Sequence, residues 1–113
     1  MPPNPETVDP ALLDRVVQQI VRQFKPDRVI LFGSHARGEA RPDSDVDFLV
    51  VEPAVAGRLK EAARLMRILR PLRLPVDVIV TDRQTFAQWK SVPSSVYHEA
   101  LRDGQTFGPA AQL

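Results

Sequence analysis

Three aspartates stand where fold stability alone would not put them. Asp45 and Asp47 lie two residues apart in a run that reads as a strand, Asp45–Val51, so their side chains share one face. Asp77 interrupts an otherwise apolar strand, Leu74–Val80. If the two strands are neighbours, the three carboxylates converge at one end of a sheet. Two like charges about 4 Å apart repel by roughly 4 kcal/mol at an effective dielectric of about 20, so three of them call for a counter-charge. An all-oxygen donor set suits a hard divalent cation, Mg²⁺ or Mn²⁺. Upstream, Gly33-Ser34 directly follows a strand, where a glycine lets the backbone approach a ligand closely. If His35-Ala36-Arg37 begins a helix, its free N–H groups favour a phosphate, and Arg37 and Arg41 can reach further phosphate oxygens. A phosphate cradle beside a carboxylate metal site is the layout for metal-assisted phosphoryl or nucleotidyl transfer.

The rest of the chain reads as the frame for that layout. Residues 1–8 are Pro-rich and read as a flexible tail. Asp9-Pro10 is a helix start, followed by an apolar stripe from Leu12 to Phe24 that Pro26 closes. Arg28–Phe32 is a short strand. The unbroken apolar run Phe48-Leu49-Val50-Val51 predicts that the Asp45–Val51 strand is covered on both faces. Helical spacing over 55–70 turns Val55, Leu59, Ala62, Ala63, Leu65, Met66 and Leu69 inward. Thr81-Asp82 caps a short helix, Val96–Leu101 forms a last one ended by Gly104, and Gln105-Thr106-Phe107 adds an edge strand. The predicted class is α/β (α+β), a small mixed sheet flanked by helices, with 9–113 as a single domain.

Composition removes several alternatives. With 113 residues there is room for one core. No cysteine means no disulfide, no thiol nucleophile and no thiolate metal site. A net charge of +1 does not announce a nucleic-acid binder, and direct nucleic-acid binding is not expected. No apolar run approaches the roughly 20 residues that span a bilayer, and the start reads as no signal peptide, so no membrane role and a cytoplasmic location are expected.

Gly33-Ser34, ten residues, then Asp45-Val46-Asp47 resembles the signature of the DNA-polymerase-beta-like nucleotidyltransferase superfamily. The fuller strings Leu31–Ala40 and Ser44–Val50 resemble its minimal nucleotidyltransferase branch, and Asp77 matches that family's third carboxylate on the following strand. At average residue frequencies the four fixed positions arise by chance in on the order of one chain per thousand. The resemblance implies a polymerase-beta-like fold in which Asp45, Asp47 and Asp77 are catalytic and hold two Mg²⁺ ions, with Mn²⁺ as a substitute. Gly33 and Ser34 bind the terminal phosphates of ATP, with Arg37 as a further phosphate contact. It also implies a HEPN-family RNase toxin as partner in a hetero-oligomer, neutralised as this antitoxin transfers AMP to a tyrosine on it. Two other readings stand beside it: a non-catalytic antitoxin that acts by binding, and nucleotidylation of a small molecule such as an aminoglycoside. The shortness of the chain, with little room for an acceptor domain, speaks against the latter.

Other conspicuous residues have plainer readings. Asp43 suits a turn. His35 and His98 lack metal-like spacing and read as surface or hydrogen-bonded groups, and Tyr97 as amphipathic packing. Phe86 and Trp89 are core or a protein interface. Arg58, Lys60, Arg64, Arg67, Arg70 and Arg73 face Glu61 alone, which reads first as a solvated helix face and second as a docking surface. Beyond Thr81 no functional residue is assigned.

Overall fold

Asp9 opens the first helix as its side chain accepts a hydrogen bond from the Ala11 N–H at 2.9 Å, with Pro10 fitting the first turn. In the computed structural model, which describes residues 9–38 and 45–107, this helix α1 runs Pro10–Phe24. It ends at Lys25 in the left-handed region (φ 48°), whose N–H donates to Val21 O before Pro26 stops the helix. Then follow β1 (Arg28–Phe32), the single-turn α2 (Ser34–Arg37), β2 (Val46–Glu52), α3 (Arg58–Leu69) and a 3₁₀ turn at Arg70–Leu72. The chain continues through β3 (Val76–Asp82), α4 (Arg83–Trp89), α5 (Val96–Asp103) and β4 (Gln105–Phe107). The tail 1–8 lies outside the described residues, as do Arg41 and Asp43.

The four strands form one mixed sheet in the order β3-β2-β1-β4. β1 pairs antiparallel with β2 and β4, and β2 pairs parallel with β3. Alternation then sends side chains to two different helical layers. Val46, Phe48 and Val50 of β2, with Val29, Leu31, Val78 and Val80, pack against Val16, Ile20 and Phe24 of α1 and Leu65 and Leu69 of α3. Leu49 and Val51, with Ile30, pack on the opposite face against Phe86 of α4 and Ala100 of α5. The double coverage expected of β2 is therefore what the structure shows.

Three starts and one face differ from the sequence reading, and β2, β3 and α5 run on to Glu52, Asp82 and Asp103. β2 begins at Val46, leaving Asp45 just ahead of the ladder. β3 begins at Val76: the 3₁₀ turn and Arg73 in the left-handed region (φ 53°) come first, and Pro75 has no N–H to give to a ladder. The third helix starts at Arg58, after an extended Gly57. Its inward stripe is Ala62, Leu65 and Leu69, whereas Leu59 is 88% and Met66 44% exposed, and Ala63 is exposed too. Two apolar stripes run along this helix, and packing on β3 selects one.

The later elements are capped by short polar side chains. Asp82 accepts from the Thr85 N–H at 2.7 Å at the start of α4, and Ser95 from the His98 N–H at 3.1 Å at the start of α5. Arg83 clamps Asp27 through two bonds of 2.6 and 2.7 Å, tying α4 to the entry of β1. Gly104 follows α5 with an ordinary φ of −91°. Its necessity is steric: a Cβ there would sit 2.6 Å from Leu31 O and 2.7 Å from Ile30 Cγ2, prising β4 from β1.

Glu52, the last residue of β2, is 5% exposed and lies against Glu61 of α3, which in turn holds Arg64 at 3.1 Å. Burial first, then the neighbouring Glu61 charge and hydrogen bond, push the Glu52 carboxyl up to about 7. The folded chain thus keeps a proton that the unfolded chain releases at an ordinary glutamate pKa. The associated stability is complete below that ordinary value and is lost as pH rises through about 7. The melting temperature should accordingly fall by several degrees between about pH 5 and 8. In Glu52→Gln, followed by thermal melts across that range, this decline should flatten and the pH 8 melting temperature should rise.

Candidate active site

β1 ends at Phe32, and the chain turns at Gly33 with φ 76° and ψ −155°, a backbone conformation that a side chain resists. The same glycine is pressed against β2: a Cβ on it would collide with Asp47 Oδ2 and lie 3.2 Å from Asp47 Cγ. Ser34 begins the single turn of α2, closed by an Arg37 N–H bond to Gly33 O at 3.1 Å and ended by Gly38 in the left-handed region. The expected strand–glycine–helix corner is present, and it faces a carboxylate.

The second half of the site comes from parallel pairing. Val46 N donates to Pro75 O at 2.9 Å, fixing the starts of β2 and β3 side by side. In the register that follows, Asp47 lies directly opposite Asp77. Asp47 and Asp77 belong to the sheet face that carries Leu49, Val51 and Ile79, the face that α4 and α5 cover further along, and Asp45 lies just ahead of β2. Asp45 and Asp77 are exposed and Asp47 is half-buried. Burial raises the Asp47 carboxyl above its ordinary range, and the charges of Asp77 and Asp45 raise it further. His35 and Arg37 on α2 pull the other way. All three aspartates, the Gly33–Ser34 corner and Arg37 thus belong to one neighbourhood.

Asp103, at the end of α5, was missed by the sequence reading. It is chelated by Arg102 at 3.0 and 3.1 Å, and that hydrogen-bonded partner holds its carboxyl below the usual range, helped by the charges of Arg37 and His98. His98 Nδ1 is buried without a hydrogen-bond partner among the described residues. Tyr97 stands edge-on to Phe86, ring centres 6.1 Å apart, and so packs as expected.

Among the described residues, no group of three or more His, Asp or Glu side chains is drawn together tightly enough to hold a metal ion. The carboxylates act on one another across the sheet face without forming a closed cage. The donor set still fits a hard divalent cation: it is all oxygen, and Asp47 carries a repulsion that His35 and Arg37 do not cancel.

Comparison with known proteins agrees with the geometry. The family model described as "Nucleotidyltransferase domain" matches residues 13–102. A Methanocaldococcus jannaschii protein provisionally named a protein adenylyltransferase is 34% identical over 73 residues, which cover 56% of this chain and 73% of that protein. Among solved structures, a provisionally described nucleotidyltransferase from Sulfolobus solfataricus matches with a TM-score of 0.54 and 25% identity, over 86% of this chain and 77% of that one. A toxin–antitoxin structure with AMP-PNP shares the fold, with a TM-score of 0.55 and 19% identity over 88% of this chain and 76% of that one.

The raised Asp47 carboxyl implies that the ionised site costs stability. Its contribution is complete below the ordinary aspartate pKa and is lost as pH rises through the raised one. Asp47→Asn should therefore melt a few degrees higher than the parent at pH 8, with the gain vanishing near about pH 4. Gly33→Ala should melt lower at every pH, since its methyl strains the backbone and strikes Asp47.

Proposed function

The chain belongs to the nucleotidyltransferase domain family, and on that premise we propose that it transfers AMP from ATP to a tyrosine of a HEPN-family RNase toxin, acting in the cytoplasm as that toxin's antitoxin. The observation that carries the transfer reading is the parallel register of Asp47 and Asp77, with the Gly33 turn pressed against Asp47. A protein acceptor is supported by the name of the Methanocaldococcus jannaschii relative, and a toxin partner by the fold shared with a toxin–antitoxin structure.

In this reading Asp45, Asp47 and Asp77 hold Mg²⁺, two ions in the family pattern, with Mn²⁺ as a substitute. When bound, such ions neutralise phosphate charge and make the acceptor hydroxyl easier to deprotonate. Gly33 contributes absence: with no side chain, the backbone comes close to the triphosphate beside Asp47. Ser34 donates its hydroxyl to the terminal phosphates, and Arg37 adds charge-assisted contacts. Asp77, exposed on β3, orients the tyrosine hydroxyl and receives its proton. The phenolic oxygen forms a bond to the α-phosphorus, the bond from that phosphorus to the bridging oxygen breaks, and pyrophosphate leaves.

Incubating the chain with Mg²⁺, α-phosphate-labelled nucleotides and the product of the adjacent gene tests this directly. Mass spectrometry should find one or more nucleoside monophosphates on a tyrosine of that product, with ATP the preferred donor. Asp45→Asn and Asp77→Asn should retain the fold by circular dichroism yet transfer at below about a hundredth of the parent rate. Transfer at the parent rate in either variant overturns the site assignment. A stable complex without label overturns catalysis and leaves neutralisation by binding.

A further inference from the structure

β3 is an edge strand: in the order β3-β2-β1-β4 it has a neighbour on one side alone among the described residues. It runs for seven residues as Val76-Asp77-Val78-Ile79-Val80-Thr81-Asp82, with no lysine and no proline to discourage pairing. Two hollows of about 350 and 340 Å³ lie along its seam with α3. One is bounded by Met66, Arg70, Arg73 and Val76, the other by Arg58, Leu59 and the consecutive Val78-Ile79-Val80. Side chains of a strand alternate between faces, so three consecutive residues share a hollow when it opens over the strand's edge. Beside it the outer stripe of α3 exposes Leu59, Ala63 and Met66.

We propose that this edge and stripe form the docking site for an extended, apolar segment, flanked by acidic residues, of the acceptor protein. The charge pattern selects that occupant. Exposed arginines stand at both ends, Arg58 at one and Arg70 and Arg73 at the other; the strand's own carboxylates, Asp77 and Asp82, line neither hollow, though Asp82 feels the charge of Arg58. A second copy is disfavoured, since antiparallel pairing of two β3 edges brings Arg58 of one copy toward Arg70 and Arg73 of the other. The lining is aliphatic, without the aromatic platforms on which single-stranded RNA stacks. Main-chain pairing along the edge supplies affinity, and the hollows read side chains. The inference rests on the transfer reading and deepens it: Asp77 belongs to the same strand, so a segment paired there passes directly beside it.

The probe is a synthetic peptide of alternating valine and threonine with a central tyrosine and paired glutamates at each end. Without nucleotide, its saturable binding should shift the backbone amide resonances of Val76–Asp82 and slow their hydrogen exchange. Leu59→Glu, and separately Arg70→Glu with Arg73→Glu, should weaken binding at least about tenfold while melting like the parent, and a lysine-flanked peptide should bind at least about tenfold more weakly. No saturation up to about 1 mM, equal binding by the variants, or shifts confined to other elements each overturn the proposal. So does oligoadenylate RNA occupying the same amides in the peptide's place, or concentration-dependent self-association through β3. Because this readout needs no nucleotide, failure of the two ideas is separable. Toxin labelling that survives both variants sinks the docking surface alone, and peptide binding without any nucleotide transfer sinks the catalytic reading alone.

Discussion

The feature on which the rest depends is repulsion held in place by hydrogen bonds. Asp47 and Asp77 lie opposite each other because β2 and β3 run parallel in register, starting from the Val46 N–H bond to Pro75 O. Among the described residues the balance of charge opposes that pairing: Asp47 is pushed up by burial and by its two acidic neighbours, and only partly relieved by His35 and Arg37. The sheet must overcome this with packing. It does so through the alternate residues of the same strand, for Val46, Phe48 and Val50 are buried among α1, α3 and the neighbouring strands. Fully burying such a side chain is worth about 1.5–3 kcal/mol.

A division of labour between the two faces of the sheet follows. The face toward α1 and α3 holds the larger apolar cluster and gives the strands their positions. The opposite face carries a smaller cluster beneath α4 and α5, and toward the starts of β2 and β3 that cover gives way to the aspartates. Gly33 joins the two functions, since its lack of a side chain is needed both for the turn after β1 and for the approach of Asp47. At the far end of β2, Glu52 shows the same tension in another form: a buried carboxyl beside Glu61 is tolerated by keeping its proton.

Local chemistry was legible in the sequence where a residue acts within its own segment. Asp9-Pro10 announced α1, Asp82 announced α4, and the unbroken apolar run of β2 announced cover on both faces. The corner at Gly33-Ser34 was equally readable, because turn chemistry is local. What escaped depends on the partner surface. Leu59 and Met66 share helical spacing with residues that are buried, and only the position of β3 decides which stripe turns inward. Gly104 is required by the nearby backbone oxygens of Ala100 and Leu31 rather than by its own φ. The register of Asp47 with Asp77 was expected conditionally, on the two strands being neighbours, and that condition is met by the fold rather than by spacing.

Burial and the charges of Asp77 and Asp45 act together on the Asp47 carboxyl. The direct measurement is a ¹³C-detected NMR pH titration of the Asp47 carboxyl in the parent chain, in Asp77→Asn, and in the parent with Mg²⁺. The parent should titrate above the ordinary aspartate range of about 3.9. Removing the Asp77 charge should lower that midpoint, and Mg²⁺ should lower it further still. An Asp47 that titrates at the ordinary value and responds neither to Asp77→Asn nor to Mg²⁺ would contradict the account.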